Sequence, residues 1–108
     1  MNGVNRRKVW DMWYGKCYYC GCDLEYSTFQ ADHFMPKEKA WAMKIPDEEN
    51  LVPACPECNN CKSDLSIEEF RAKLEKYQDE ILKSYKGRLL QKYSNVKRKP
   101  IVFWFETV

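Results

Sequence analysis

A chain of 108 residues, 44% hydrophobic and 31% charged, is long enough for one folded domain with a limited core and too apolar to be disordered. No apolar run approaches the length of a membrane span, and the basic stretch within residues 1–8 lacks the apolar segment of a secretory signal behind it. The net charge of +2 excludes little, but six cysteines without an export signal point to a reducing, cytoplasmic setting, where paired thiols bind metal more often than they form disulfides.

In chain order, Asn5 to Tyr14 predicts a short helix. Asn5 is its N-cap, Val9, Trp10 and Trp13 its apolar face, and Gly15 its C-terminal cap. Cys17 and Cys20 then fall on a turn that Gly21 lets fold tightly. Leu24 to Thr28 reads as loop or weak strand, and Phe29 to Phe34 as a strand ended by Pro36. Residues 37–50 show no strong period and read as a long connecting loop. Leu51 to Ala54 is a second strand, edge-like because of Pro53. Pro56, tolerated in a first turn, opens a short helix that begins at Cys55 to Cys58. Ser66 and Glu69 form a capping box for a longer helix, on which Phe70, Leu74, Tyr77 and Ile81 recur at helical spacing and should pack on the core. Gly87 should interrupt that helix before a further turn or two with Leu89, Leu90 and Tyr93. Ile101 to Phe105, β-prone after Pro100, predicts a strand added at the edge of the domain.

The chemistry-bearing residues crowd into the middle of the chain. Cys17, Cys20, Cys55 and Cys58 make two Cys-x-x-Cys pairs suited to a tetrahedral thiolate zinc site, which would pin both ends of the intervening strand–loop–strand. Cys22 and Cys61 are extra thiols, and Cys58 with Cys61 is a competing register. The reading preferred here makes Cys22 and Cys61 small, partly buried residues without a metal role. Between the pairs lie Asp32 and the only histidine, His33. Neighbours on a strand face opposite ways, so one would bind a metal and the other act as a base, a role that suits imidazole. Carboxylate and amide oxygens are hard donors that suit Mg²⁺ or Mn²⁺. No acidic residue occurs between Leu82 and Phe105, while Lys83, Lys86, Arg88, Lys92, Lys97, Arg98 and Lys99 are all basic, with Arg6, Arg7 and Lys8 at the other end. Beside a hydrolytic site, such clusters suggest a phosphate backbone as partner.

The joint pattern Cys17-x-x-Cys20, Asp32-His33-x-x-Pro36, Asn50-Leu51, Cys55-x-x-Cys58-Asn59-x-x-Lys62 closely resembles the HNH endonucleases of the ββα-metal class, over roughly Val9 to Leu65. The small size and trailing basic segment resemble the stand-alone members common in bacteria and phages. The resemblance implies an α+β fold in one domain spanning residues 1–108. Its small ββα-metal core, motif 9–65, would be stapled by a four-cysteine zinc site, with a basic helical extension and terminal strand over 66–108. It also implies that His33 is the general base and that Asp32 and Asn59 hold a catalytic Mg²⁺ or Mn²⁺. Asn50 would hold the loop and help orient the base, and Cys17, Cys20, Cys55 and Cys58 would hold structural zinc. The activity implied is hydrolysis of DNA phosphodiesters, leaving a 5′-phosphate and a 3′-hydroxyl. Lys62 together with Lys86, Arg88, Lys92, Lys97, Arg98 and Lys99 would hold the DNA backbone. The loop from Pro36 to Asn50 departs from the family in lacking its frequent glycine pair, and carries Trp41, Ala42, Met43 and Lys44 instead. The alternative is a non-catalytic zinc module that binds nucleic acid or a protein partner in a phage packaging or defence complex. A third reading, a dithiol redox protein, leaves Asp32, His33, Asn50 and Asn59 unexplained.

Overall fold

The computed structural model describes residues 5–108, so residues 1–4 of the basic N-terminal stretch lie outside it. The chain divides into two compact units, residues 1–67 with 102–108, and residues 68–101.

In the first unit, helix α1 (Arg6–Met12) starts where Asn5 accepts a hydrogen bond from the Lys8 amide. The Arg6 guanidinium donates to the carbonyls of Tyr26 and Phe29 and lies 4.0 Å from the centroid of the Phe29 ring, tying the helix to the segment that enters the sheet. Strand β1 (Gln30–His33) pairs antiparallel with β2 (Leu51–Ala54), and His33 faces Leu51 while Asp32 faces Val52. Two strands of four residues are marginal alone. Here α1 packs on β2, and α3 (Pro56–Lys62) packs on β1. The thiol knuckle is also bonded to the sheet, the Tyr18 amide donating to the Pro53 carbonyl at 2.9 Å. Pro53 has no N–H to give, and sits where only its carbonyl is asked for. The two strands and α3 form the ββα core that the sequence predicts.

Two expectations for the first unit need correction. The stretch between the strands is not a plain loop. It holds helix α2 (Lys37–Ala42) and a one-turn 3₁₀ helix (Asp47–Asn50). Lys37 to Ala42 are mostly good helix formers, but six residues are too few to show a period. The terminal run is not a strand either: residues 101–103 are irregular and Trp104–Glu106 is a 3₁₀ turn. The run docks through two backbone bonds, from the amides of Trp104 and Phe105 to the carbonyls of Tyr19 and Tyr18, and through its rings. Phe105 stacks on Tyr18 at 4.4 Å, and Phe103 meets Tyr19 edge-on. β-propensity here reflects aromatic content, which is spent on ring packing over the thiol knuckle rather than on a ladder. Gly21 is required at that contact. It has φ +78°, and a Cβ there would collide with the Trp104 ring.

The second unit contains helix α4 (Ile67–Lys83) from Glu68 onward and helix α5 (Tyr85–Tyr93). Phe70 is buried, but Tyr77 and Ile81 are 42% and 62% exposed and do not reach a core as expected. One further helix and a short extended segment cannot cover α4 along its whole length. The helical break falls at Ser84, whose hydroxyl caps α5 by accepting from the Gly87 amide, and not at Gly87 itself. Gly87 instead lets the turn close, since a Cβ there would collide with the Ile81 carbonyl oxygen. The return segment runs along α4, with Gln78 bonding both the amide and the carbonyl of Lys99, and Arg71 donating to the Ile101 carbonyl. No helix among the described residues is long and apolar enough to cross a membrane.

Candidate active site and thiol cluster

Asp32, His33 and Asn59 line one open cleft of about 590 Å³, together with Pro36, Lys37, Glu38, Asn60, Ser63 and Asp64. β1 delivers the first two and α3 the third. Although neighbours on one strand, Asp32 and His33 both reach the cleft, Asp32 nearly buried and the His33 side chain 25% exposed.

The Asp32 carboxylate is held on one side. Its Oδ2 accepts from the Tyr19 hydroxyl at 2.5 Å and lies 3.1 Å from Lys62 Nζ, and Oδ1 takes no part in either contact. Burial, and then the charge of Asp32, push the Tyr19 hydroxyl far above its usual range, so it stays a donor. Lys62 is the main correction among the site residues. Expected at a DNA phosphate, it is completely buried beneath the cleft and also donates to the His33 carbonyl at 2.8 Å. A buried ammonium persists only where charge and hydrogen bonds compensate its desolvation, and Asp32 with the His33 carbonyl supplies both. Taking away one partner of such a pair costs about 3–5 kcal/mol. Lys62→Met is therefore expected to lower unfolding stability by about that amount in denaturant titrations, while the exposed Lys86→Met stays within about 0.5 kcal/mol of wild type.

Asn50 does not line the cleft. Its side chain clamps the chain just beyond the strand, Oδ1 accepting from the Met35 amide at 3.0 Å and Nδ2 donating to the Met35 carbonyl at 2.8 Å, while its own carbonyl accepts from the Phe34 amide. Three residues earlier, Asp47 Oδ1 sits 2.7 Å from His33 Nε2. Sequence reasoning misses Asp47, Tyr19 and Lys37. Asp47 lies in a stretch that reads as loop, Tyr19 between two cysteines looks like filler, and Lys37 has no motif to point to it.

At the other end of β2, five thiols converge. Those of Cys17, Cys20, Cys22 and Cys55 lie within 4.8 Å of one another, and Cys58 hydrogen-bonds Cys17. Tetrahedral zinc with bonds near 2.3 Å separates its sulfurs by about 3.8 Å, and the Cys20 and Cys55 sulfurs are 3.9 Å apart. The amides of Cys20 and Cys58 point at the sulfurs of Cys17 and Cys55, at 3.5 Å and 3.4 Å. The hydrogen bond from the Cys58 thiol, aided by backbone hydrogen bonds from Cys20, Cys55 and Tyr19, pulls the Cys17 thiol down to about 4, while Cys58 rises as it keeps the shared proton. The donor set and spacing fit a thiolate-bound metal. Cys22, expected to stand apart, has its sulfur within the cluster, because Cys17 and Cys22 close the knuckle through a backbone bond from the Cys17 amide to the Cys22 carbonyl. Cys58, expected as a ligand, and Cys61, both half-buried on α3, are outside that group of four.

Lys86, Arg88, Lys92, Lys97, Arg98 and Lys99 are all exposed, in the second unit. Arg98 is engaged within that unit by Asp79 and, at 3.9 Å, by Glu75.

The model of the family "HNH endonuclease" matches residues 17–65. Those bounds enclose the first thiol pair, both strands, α2, the 3₁₀ turn and α3. Among solved structures, the chain is similar to the Type II-C Cas9 enzyme from Actinomyces naeslundii, with 27% identity and a TM-score of 0.52. That similarity covers 64% of this chain but only 7% of the Cas9 chain. No curated protein matches. The family match falls on the segment that builds the cleft and the thiol cluster, so it is residues 17–65 that are similar to an HNH endonuclease domain.

Proposed function

We propose that the chain is a metal-dependent endonuclease that hydrolyses DNA phosphodiester bonds, with residues 1–108 working as one nuclease domain. The observation that carries this reading is the single cleft lined by Asp32, His33 and Asn59. Asp32 through Oδ1 and Asn59 through its amide oxygen would hold Mg²⁺ or Mn²⁺, and oxygen donors of this kind suit such ions. A cation bound there supplies positive charge against the negative charge that builds on the reacting phosphate.

His33 takes the proton from the attacking water, which adds to phosphorus in line with the departing 3′ oxygen and leaves a 5′-phosphate. Tyr19 and Lys62 hold Asp32 in one orientation, so little reorganisation is needed when the phosphate arrives. Lys37, exposed on the cleft wall, takes the phosphate-facing part expected of Lys62. The exposed lysines and arginines of residues 86–99 would hold the backbone without reading bases, so affinity should fall steeply with salt. Zinc on Cys17, Cys20, Cys55 and Cys58 would keep the two ends of the hairpin together.

The test is supercoiled plasmid incubated with purified protein and Mg²⁺ or Mn²⁺. Nicked, then linear product with ligatable 5′-phosphate ends is expected. Binding without cleavage under every divalent ion would instead favour a zinc-stabilised nucleic-acid-binding module.

A further inference from the structure

We propose that Asp47 is a positioning residue for the base, setting which nitrogen of His33 carries the proton. The proposal rests on the reading of His33 as general base. An ionised carboxylate can only accept hydrogen bonds. With Asp47 Oδ1 at 2.7 Å from Nε2, a neutral His33 ring bonded to it holds its proton on Nε2, and the lone pair that can take a proton from water is on Nδ1.

Asp47 is placed for this by construction. It opens the one-turn helix Asp47–Asn50 directly after Pro46, and the last residue of that turn, Asn50, clamps Met35 through both side-chain atoms. The next residue, Leu51, pairs with His33 in the ladder. The backbones on either side of the bond are therefore fixed relative to each other: β1 by the ladder, the segment after it by Asn50, and Asp47 by the same turn. The Asp47 side chain is 61% exposed, and an ion pair so open to water adds little to stability. What it can supply is orientation and a chosen tautomer, as the carboxylate partner of a catalytic histidine does elsewhere. The acidic neighbours Glu48 and Glu49, equally exposed, have no such bond to the ring.

His33 is the only histidine, so the long-range proton–nitrogen spectrum of ¹⁵N-labelled protein reports its ring without assignment. The full zinc-loaded chain is compared as wild type, Asp47→Ala, Asp47→Glu and Glu48→Gln, all at one mildly alkaline pH. Single-turnover plasmid nicking is measured alongside. Wild type is expected to show one tautomer, with Nδ1 unprotonated and slow exchange of the Nε2 proton with water. Asp47→Ala is expected to mix the tautomers, speed that exchange and lower the cleavage rate constant about 10- to 100-fold, with half-saturating DNA within about twofold. Asp47→Glu should recover part of both losses, and Glu48→Gln should change neither.

A wild-type ring protonated on Nδ1 would overturn the proposal. So would an Asp47→Ala protein with wild-type tautomer and exchange, or one whose ring changes while cleavage does not. Should wild type cleave no DNA, the role of His33 as base fails by itself, while the spectra still decide whether Asp47 sets the tautomer.

Discussion

Alanine at position 33 is expected to lower the single-turnover rate of plasmid nicking by about 10²- to 10⁴-fold, the usual share of a general base. The chain has no second histidine to take over, and the other titratable groups lining the cleft are Asp32, Lys37, Glu38 and Asp64. The fold should not suffer. Lys62 is held by the His33 backbone carbonyl, not the ring, and the ring's hydrogen bond is to the exposed Asp47. Thermal unfolding of His33→Ala should therefore stay within about 1 kcal/mol of wild type. A variant that keeps its melting behaviour and loses its chemistry is the signature of a base. One that nicks as fast as wild type removes His33 from the reaction.

The second large effect is on folding. Structural zinc in small domains contributes roughly 10–16 kcal/mol of apparent binding energy, as much as the whole stability of a typical domain, about 5–15 kcal/mol. The thiols join the knuckle to the start of α3, and between them lies a hairpin of two four-residue strands. Removing the metal with a strong chelator, or replacing the fully buried Cys17 by serine, is expected to abolish the cooperative unfolding transition seen by circular dichroism. Zinc should restore it in the chelated wild type but not in Cys17→Ser. Cys61→Ser, outside the cluster of four, should melt within about 1 kcal/mol of wild type. A chelated chain that unfolds as cooperatively as before would show that the thiols hold no structural ion.

The outline of the core is legible in the sequence because its signals are local. A proline in the first turn of a helix, a short apolar run and paired cysteines each act over a few positions, and β1, β2 and α3 lie where those signals put them. The same locality explains what is lost. Helix α2 is too short for a period, and the aromatic run at residues 103–105 is equally at home in a strand or packed as rings.

For the site, residue types are readable but surroundings are not. Lys62 looks like any lysine after a motif asparagine, and only the fold shows it buried beneath Asp32. Asp47 is one of three consecutive acids, distinguished only when a one-turn helix brings it to His33. Two Cys-x-x-Cys pairs already supply four ligands without Cys22, and spacing cannot show the knuckle folding its sulfur back toward Cys20 and Cys55.

The chemistry proposed for the cleft needs a divalent ion held by Asp32 and Asn59 beside His33. The dependence of plasmid nicking on Mn²⁺ concentration, measured with the zinc site loaded in wild type, Asp32→Ala and Asn59→Ala, tests it most directly. No nicking is expected without added Mn²⁺, with saturation in wild type and half-saturation raised about tenfold or more in Asn59→Ala, Asp32→Ala being worse still. Nicking that persists without a divalent ion, or Mn²⁺ curves that coincide for all three proteins, would contradict it.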